Sequence, residues 1–275
     1  MTQQSRTLDL TRSIAPWRSI LGLSVANLGF EEGLALLADR IDNRQYTPVT
    51  FLNAHNANVA HADESFADAL RGFLVLADGV GVDVASKSFH GRPFKANLNG
   101  TDLVPALFSY CVKPLKVALL GARPEVIKSA QAIFTKETPW HDFKIVSDGF
   151  FRPQDLPQIK QLLKEMQPDV LLVAMGVPRQ EEFIAKNLGL EYCTMPMAVG
   201  ALFDIHTGTI PRAPQWVRSI RIEWAYRLMR EPKRLWYRYI VGNPVFLFKV
   251  MRSHFKHTST DSGDPRGTQP SDTPK

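Results

Sequence analysis

The sequence predicts an α/β fold: a Rossmann-like, doubly wound, mostly parallel sheet with a basic helical appendage at its C-terminal end. Three observations carry this. Short unbroken apolar runs, typified by Val170–Met175, recur along the chain and end in Gly, Pro or Asp-Gly; a strand buried on both faces of a parallel sheet has this pattern. Segments of helical spacing separate these runs, as βαβ units require. After Gly200 the composition changes: between Ile205 and His257 eleven Lys/Arg face only two acidic residues, Glu223 and Glu231.

In chain order, residues 1–16 are polar and are expected to be disordered. Ser19–Val25 reads as a strand, Asn27–Arg40 as a helix with apolar positions spaced among Glu31, Glu32 and Asp39, and Thr47–Leu52 as a second strand. Asn53–Arg71 is helix-like and rich in Asn, His and Ala. Phe73–Ala77 is a third strand that stops at Asp78-Gly79, and Leu103–Val112 is a helix. Leu115–Leu120 is a fourth strand, Glu125–Phe134 a helix, Phe143–Val146 a short strand, and Gln154–Gln167 a helix stopped by Pro168. Val170–Met175 leads into a helix start at Arg179, and Cys193–Val199 is the last strand. Trp216–Arg230 and Leu235–Phe255 are helix-like, with Pro232 and Pro244 as breaks. This divides the chain into an α/β core over 17–205, a basic amphipathic appendage over 206–257, and a polar, disordered tail over 258–275.

Composition narrows the function. The chain has 275 residues, 44% hydrophobic and 22% charged, an ordinary globular balance. Two cysteines, Cys111 and Cys193, exclude a disulfide framework and fit a reducing compartment. The N-terminus lacks the apolar core of a secretory signal, and no stretch reaches the ~18 apolar residues of a bilayer span. A cytoplasmic location is expected. The net charge of +6 splits into about +9 on the appendage and −3 elsewhere, so the appendage calls for an anionic partner, lipid head groups or nucleic acid. Its interleaved Trp, Tyr and Arg favour a membrane surface.

In open α/β sheets ligands bind at the carboxyl ends of the strands, which picks out the candidate residues. Asp78, followed by Gly79 and Gly81, is either a plain turn or a carboxylate placed as a general base. Gly100-Thr101-Asp102 opens a helix, as an N-cap or as a cradle for phosphate or sugar hydroxyls. Gly121-Ala122-Arg123 joins a strand to a helix and lacks the three glycines of a dinucleotide fingerprint. Asp148-Gly149 reads as a surface turn. Gly176-Val177-Pro178-Arg179-Gln180-Glu181 puts a guanidinium, a carboxamide and a carboxylate on the binding edge. No metal-ligand spacing, Asp-x-Asp pair, nucleophile elbow or Walker loop is present, so no metal and no cofactor are expected.

Taken together the motifs resemble the WecG/TagA/CpsF family of bacterial glycosyltransferases from about Ile20 to Asn243. The resemblance rests on Asn53, Ala77–Val82, Gly100–Leu103, Leu120–Pro124, Asp148–Phe151 and Gly176–Glu181, then on Gly200–Asp204, Arg212-Ala213-Pro214, Glu223-Trp224, Tyr226-Arg227-Leu228 and Gly242-Asn243-Pro244. It implies inverting, metal-independent transfer from a UDP-sugar to a polyprenyl-diphosphate-linked acceptor at the inner membrane face. Asp78 would be the general base. Asn53, Gly79, the Gly100–Asp102 turn, the Gly121–Arg123 turn, Gly149 and the Gly176–Glu181 cluster would lie on the donor. Arg227, Arg234 and Arg238 would reach the diphosphates. Phe51 and Asn97 stand where the family usually has Thr and Arg, near the expected sugar or acceptor pocket. Apolar surface near the appendage also allows self-association into a homo-oligomer. The competing classes are a nucleic-acid-binding protein using the basic extension, with no recognised motif for it, and a sugar-nucleotide oxidoreductase, which lacks its glycine fingerprint.

Overall fold

The computed structural model describes residues 16–219 and 222–260. Its centre is an eight-stranded sheet in the order β1-β2-β4-β3-β8-β7-β5-β6. The strands are β1 (Trp17–Ile20), β2 (Leu23–Ala26), β3 (Val49–Leu52), β4 (Leu74–Ala77), β5 (Lys116–Gly121), β6 (Asp142–Ser147), β7 (Val170–Ala174) and β8 (Met195–Ala198). Every neighbouring pair is parallel except β1 and β2. The unbroken apolar runs are explained by burial on both faces. In β7, Val170, Leu172 and Ala174 enter the core on one side of the sheet, and Leu171 and Val173 the core on the other.

The helices between strands are α1 (Phe30–Asp42), α2 (Ala54–Ala62), α3 (Glu64–Leu70), α4 (Val80–His90), α5 (Gly100–Tyr110), α6 (Pro124–Glu137), α7 (Leu156–Met166) and α8 (Arg179–Asn187). After β8 come α9 (Leu202–His206), α10 (Gln215–Ser219), α11 (Glu223–Arg230), α12 (Pro232–Trp236), a π turn over Tyr237–Val241, and α13 (Gly242–Thr260). Most expected elements are present with ends displaced by a residue or two.

Several differences are local. The single strand expected over Ser19–Val25 is a hairpin, because Leu21 and Gly22 both take left-handed backbone conformations, φ 50° and 87°. The helix expected over Asn53–Arg71 is broken at Asp63, which is extended and whose side chain accepts from the Phe66 amide to start α3. The sequence pattern does not announce helix α4, because its entry through Gly79-Val80-Gly81 reads as a turn. Trp216–Arg230 is divided into α10 and α11. Pro232 opens a helix instead of breaking one, as proline at a first helical turn does, and Pro244 lies in the first turn of α13, again where a proline is tolerated.

The C-terminal run is more deeply anchored than an appendage expected over 206–257 suggests. Phe246 and Val250 of α13 are buried in the same core as Ala54, Val82 and Leu120, and Asn58 donates to the Gly242 carbonyl at 2.7 Å. Phe246 lies against Gly81, where a Cβ would stand 3.7 Å from its ring. The last helix continues from the expected boundary at His257 to Thr260; the rest of the expected ends, 1–15 and 261–275, lie outside the described residues.

One glycine is dictated by packing. Gly121 has φ +114°, and a Cβ there would sit 2.3 Å from the Ala174 carbonyl oxygen on β7. Gly121→Ala is therefore expected to cost about 3 kcal/mol or more, read as a lowered denaturation midpoint.

Candidate active site

Strands β3 and β8 are neighbours at the middle of the sheet, but the chain leaves β3 towards β4 on one side and reaches β8 from β7 on the other. Such a reversal opens a crevice at the carboxyl edge. Here it is a cavity of about 1050 Å³ whose wall includes Asn53, Asp78, Gly79, Gly176 and Gly200, each just past the end of β3, β4, β7 or β8.

Asp78 lies on this wall, and its position is fixed from three sides. Its amide donates to the Leu52 carbonyl at 2.9 Å, extending the parallel ladder. Asn53 Nδ2 donates to its Oδ2 at 3.2 Å. The amide of the next residue, Gly79, donates to Asn97 Oδ1 at 2.8 Å. Enclosure by protein raises the Asp78 pKa; the Asn53 hydrogen bond and the charges of Arg238 and Arg227 oppose the rise, and Asp102 adds to it. His55, also on the wall, is pushed down to about 4 by burial and by Arg238, so it is neutral at pH 7.

The C-terminal helices supply the opposite charge. Arg227 of α11, Arg234 of α12 and Arg238 of the π turn all line the cavity. Arg234 pairs with Glu231 at 2.6 Å. Arg227 and Arg238 have no hydrogen-bond or ion-pair partner among the described residues, and the Nε of each is buried. Arg238 has its guanidinium carbon 5.6 Å from the Tyr239 ring centroid. Burial lowers the Arg238 pKa, yet a guanidinium remains charged at neutral pH. Cationic donors enclosed without a partner are ready to receive an anion. Glu223, on the same wall, has its pKa raised by burial, against the pull of Arg212 and Arg227.

The cavity wall includes Asn53, Asp78, Gly79, Gly100, Thr101, Gly176, Gln180 and the three arginines, and excludes Asp102, Gly121, Ala122, Arg123, Gly149, Pro178, Arg179 and Glu181. The excluded residues have other engagements. Asp102 receives Arg212 and, at 2.8 Å, Asn99 Nδ2, tying the segment before α10 to the start of α5. Gly121 is held against β7, and Ala122, at φ 57°, accepts from the Gly149 amide at 2.8 Å, joining the turns after β5 and β6. Arg123 lies 3.5 Å from Glu125 and 4.0 Å from Asp204. Arg179 is exposed on α8, and Pro178 follows a cis peptide bond.

Two wall residues expected to meet the donor also make hydrogen bonds within the protein. Asn53 Oδ1 caps α2 through the His55 and Asn56 amides. Gln180 Oε1 accepts from the Gly176 and Gly200 amides at 3.1 and 3.0 Å, clamping the turns after β7 and β8 together. Its Nε2 donates to Glu181 Oε1, which also receives Thr50 Oγ1, both at 3.0 Å. Glu181 is fully buried, and burial raises its pKa. Gly100, also on the wall, packs closely as well: a Cβ there would stand 2.9 Å from the Phe51 ring.

Sequence reasoning missed His55, Asp204, Glu223 and Tyr239 on the cavity wall. Glu223-Trp224 is among the motifs, but nothing in its spacing tells that α11 brings Glu223 to the cavity that holds Asp78. Among the described residues no three of His, Cys, Asp and Glu converge as a metal site, and no helix is long and apolar enough to cross a membrane.

A carboxylate and unpaired arginines sharing one cavity at the switch point of a doubly wound sheet suit the transfer of a group from a phosphorylated donor, and the class here is glycosyltransferase. The chain belongs to the Glycosyl transferase WecG/TagA/CpsF family, whose profile matches residues 18–260. It is similar to the N-acetylglucosaminyldiphosphoundecaprenol N-acetyl-beta-D-mannosaminyltransferase of Bacillus subtilis (strain 168), 30% identical over 77% of this chain and 82% of the relative. The proteins of the same name from Bacillus spizizenii (30% identical; 65% and 68% covered) and Staphylococcus aureus strain MW2 (29% identical; 74% and 79% covered) are similar as well.

Proposed function

We propose that this enzyme transfers a sugar from a UDP-sugar to a polyprenyl-diphosphate-linked saccharide, with inversion and without a metal, in the synthesis of a cell-surface or exported polysaccharide. The observation that carries the reading is the placement of Asp78 in one cavity with Arg227 and Arg238, two cations that have no partner of their own among the described residues. In the reaction the acceptor hydroxyl oxygen forms a bond to the anomeric carbon as the bond from that carbon to the UDP oxygen breaks. Asp78 takes the hydroxyl proton. A single displacement of this kind inverts the anomeric centre. Its raised pKa makes Asp78 a stronger base than an exposed carboxylate. Arg227 and Arg238 meet the diphosphate charge, the leaving UDP's or the acceptor's, in a site partly closed to water.

Around the base, Asn53 and Asn97 act as positioning residues: one holds the Asp78 carboxylate and the other the Gly79 amide. Gln180 does the same for the two glycine turns. Gly176 and Gly200 then present bare backbone to the donor. Phe51 and Asn97 form part of the wall on the Gly100 side, so the sugar accepted by the relatives is one candidate among several.

Peripheral attachment to the inner face of the cytoplasmic membrane is part of the proposal. Met229, Trp236, Tyr237 and Phe248 are more than half exposed on the C-terminal helices, beside the exposed basic residues Arg230, Lys233, Arg234 and Arg252. Aromatic side chains suit the bilayer interface, and each basic residue near anionic lipid adds about 1 kcal/mol. Because Phe246 and Val250 are core residues, point substitutions test this better than truncation. Trp236→Glu together with Phe248→Glu is expected to abolish co-flotation with phosphatidylglycerol vesicles while the thermal midpoint is retained; undiminished flotation would remove this face from the membrane role. Calorimetry across UDP-sugars, with NAD and single-stranded DNA as controls, tests the donor class. Saturable binding of one UDP-sugar is expected, and binding of NAD or DNA alone would contradict it.

A further inference from the structure

We propose that the apolar strips of α4 and of the π turn with α13 form a groove for the first isoprene units of a polyprenyl diphosphate, where the lipid tail leaves the cavity. This rests on the lipid-linked acceptor proposed above, and it assigns the tail a site of its own, separate from the bilayer surface.

The large apolar side chains on the cavity wall are not all inside. Val80 and Val84 are 39% and 47% exposed, and Ile240 and Leu247 are 56% and 38% exposed. Side chains that line a cavity and also face water stand at its mouth. Val80 and Val84 are four apart on α4 and share one face. Ile240, Pro244 and Leu247, from the π turn and the start of α13, line the same cavity. Helices α4 and α13 pack together, with Phe246 seated against Gly81 beneath the mouth. From Leu247 the apolar surface continues outward through exposed Phe248 and Met251, the latter one turn further along α13.

Exposed valine, isoleucine and leucine on the wall of one cavity are open to an apolar occupant. The interior says which kind. The same wall carries Arg227 and Arg238, whose buried Nε atoms have no hydrogen-bond partner among the described residues. A ligand complementary to both carries a dense anion joined directly to a hydrocarbon chain. A polyprenyl diphosphate has that order: the diphosphate on the arginines, the first isoprenes against Val80, Val84, Ile240 and Leu247, and the remaining chain running over Phe248 and Met251 to the bilayer. A free UDP-sugar has no group for the rim.

The test uses Val84→Ser, Leu247→Ser and the double variant in the full chain; both side chains are partly exposed, so the fold is expected to persist. Acceptors would be N-acetylglucosaminyl diphosphate esterified to undecaprenol and to butanol. For the double variant the KM for the undecaprenyl acceptor should rise about tenfold, with kcat, the KM for the butyl acceptor and flotation on phosphatidylglycerol vesicles unchanged. An equal rise for both acceptors, no rise for either, or a parallel loss of flotation would overturn the groove; the last would assign the strip to the bilayer. Calorimetry with farnesyl diphosphate and inorganic pyrophosphate reads the groove without turnover. The wild type should bind farnesyl diphosphate more tightly, and the double variant should lose most of that preference. Equal wild-type affinities would overturn the proposal. Failure of the wild type to use any UDP-sugar, with the farnesyl preference intact, would instead count against the proposed reaction.

Discussion

Asp78→Asn is expected to lower the transfer rate by roughly 10²–10⁴-fold, the range a positioned general base contributes, while the affinity for UDP-sugar stays within about twofold. Asparagine keeps the shape of the side chain and can still meet Asn53, but it cannot take a proton. The variant should fold at least as firmly as the parent at pH 7. Enclosure raises the Asp78 pKa in the folded state above its unfolded value near 3.8. The native state therefore binds the proton more strongly, and the stability that goes with the protonated form is lost as pH rises from that unfolded value through the folded one. Asparagine has no such loss. A thermal midpoint at or above wild type, together with the collapse in rate, separates lost chemistry from lost structure. Near-normal turnover would remove Asp78 from the role.

The second large effect is expected at Arg238 and Arg227. Each to Ala should reduce kcat/KM by about 10²–10³-fold, the scale of removing one preorganised donor from developing charge. Lysine should restore only part of the loss, since it brings a point charge without the planar fork of donors. Steady-state kinetics on both substrates would decide this. Arg179, expected on the binding edge but exposed on α8, serves as the control, and Arg179→Ala should change kcat/KM less than twofold.

The fold was legible because burial on both faces of a parallel sheet leaves a direct mark. Val170–Ala174 and Leu74–Ala77 have no other economical explanation than interior strands. The hairpin at Leu21-Gly22 was not legible, because two left-handed residues inside an apolar run leave no polar turn signature. Asp78 was legible as the end of a strand that stops on a carboxylate. The duties of its neighbours were not. Gln180 reads as a ligand for the donor, and spacing gives no sign that its amide also holds two glycine N–H groups and a buried glutamate. Gly121 looked like a phosphate turn, yet its missing side chain accommodates the Ala174 carbonyl. Both cases depend on contacts between distant strands, which local spacing does not encode. The same holds for α13: its Arg and aromatic content announced a surface helix, and only the packing of Phe246 and Val250 shows one face built into the core.

The most direct test of a base governed by borrowed arginines is the pH dependence of kcat/KM in the wild type and in Arg238→Ala, with Glu223→Gln as a control for the second carboxyl on the wall. Activity should fall on the acid side, as Asp78 gains its proton, at a pH above the usual carboxylate range. The arginine charge opposes the rise in the Asp78 pKa, so Arg238→Ala should move this limb to still higher pH, while Glu223→Gln keeps it. An acid limb at an ordinary carboxylate pKa, or one that Arg238→Ala leaves in place, would contradict the coupling of Asp78 to the C-terminal arginines.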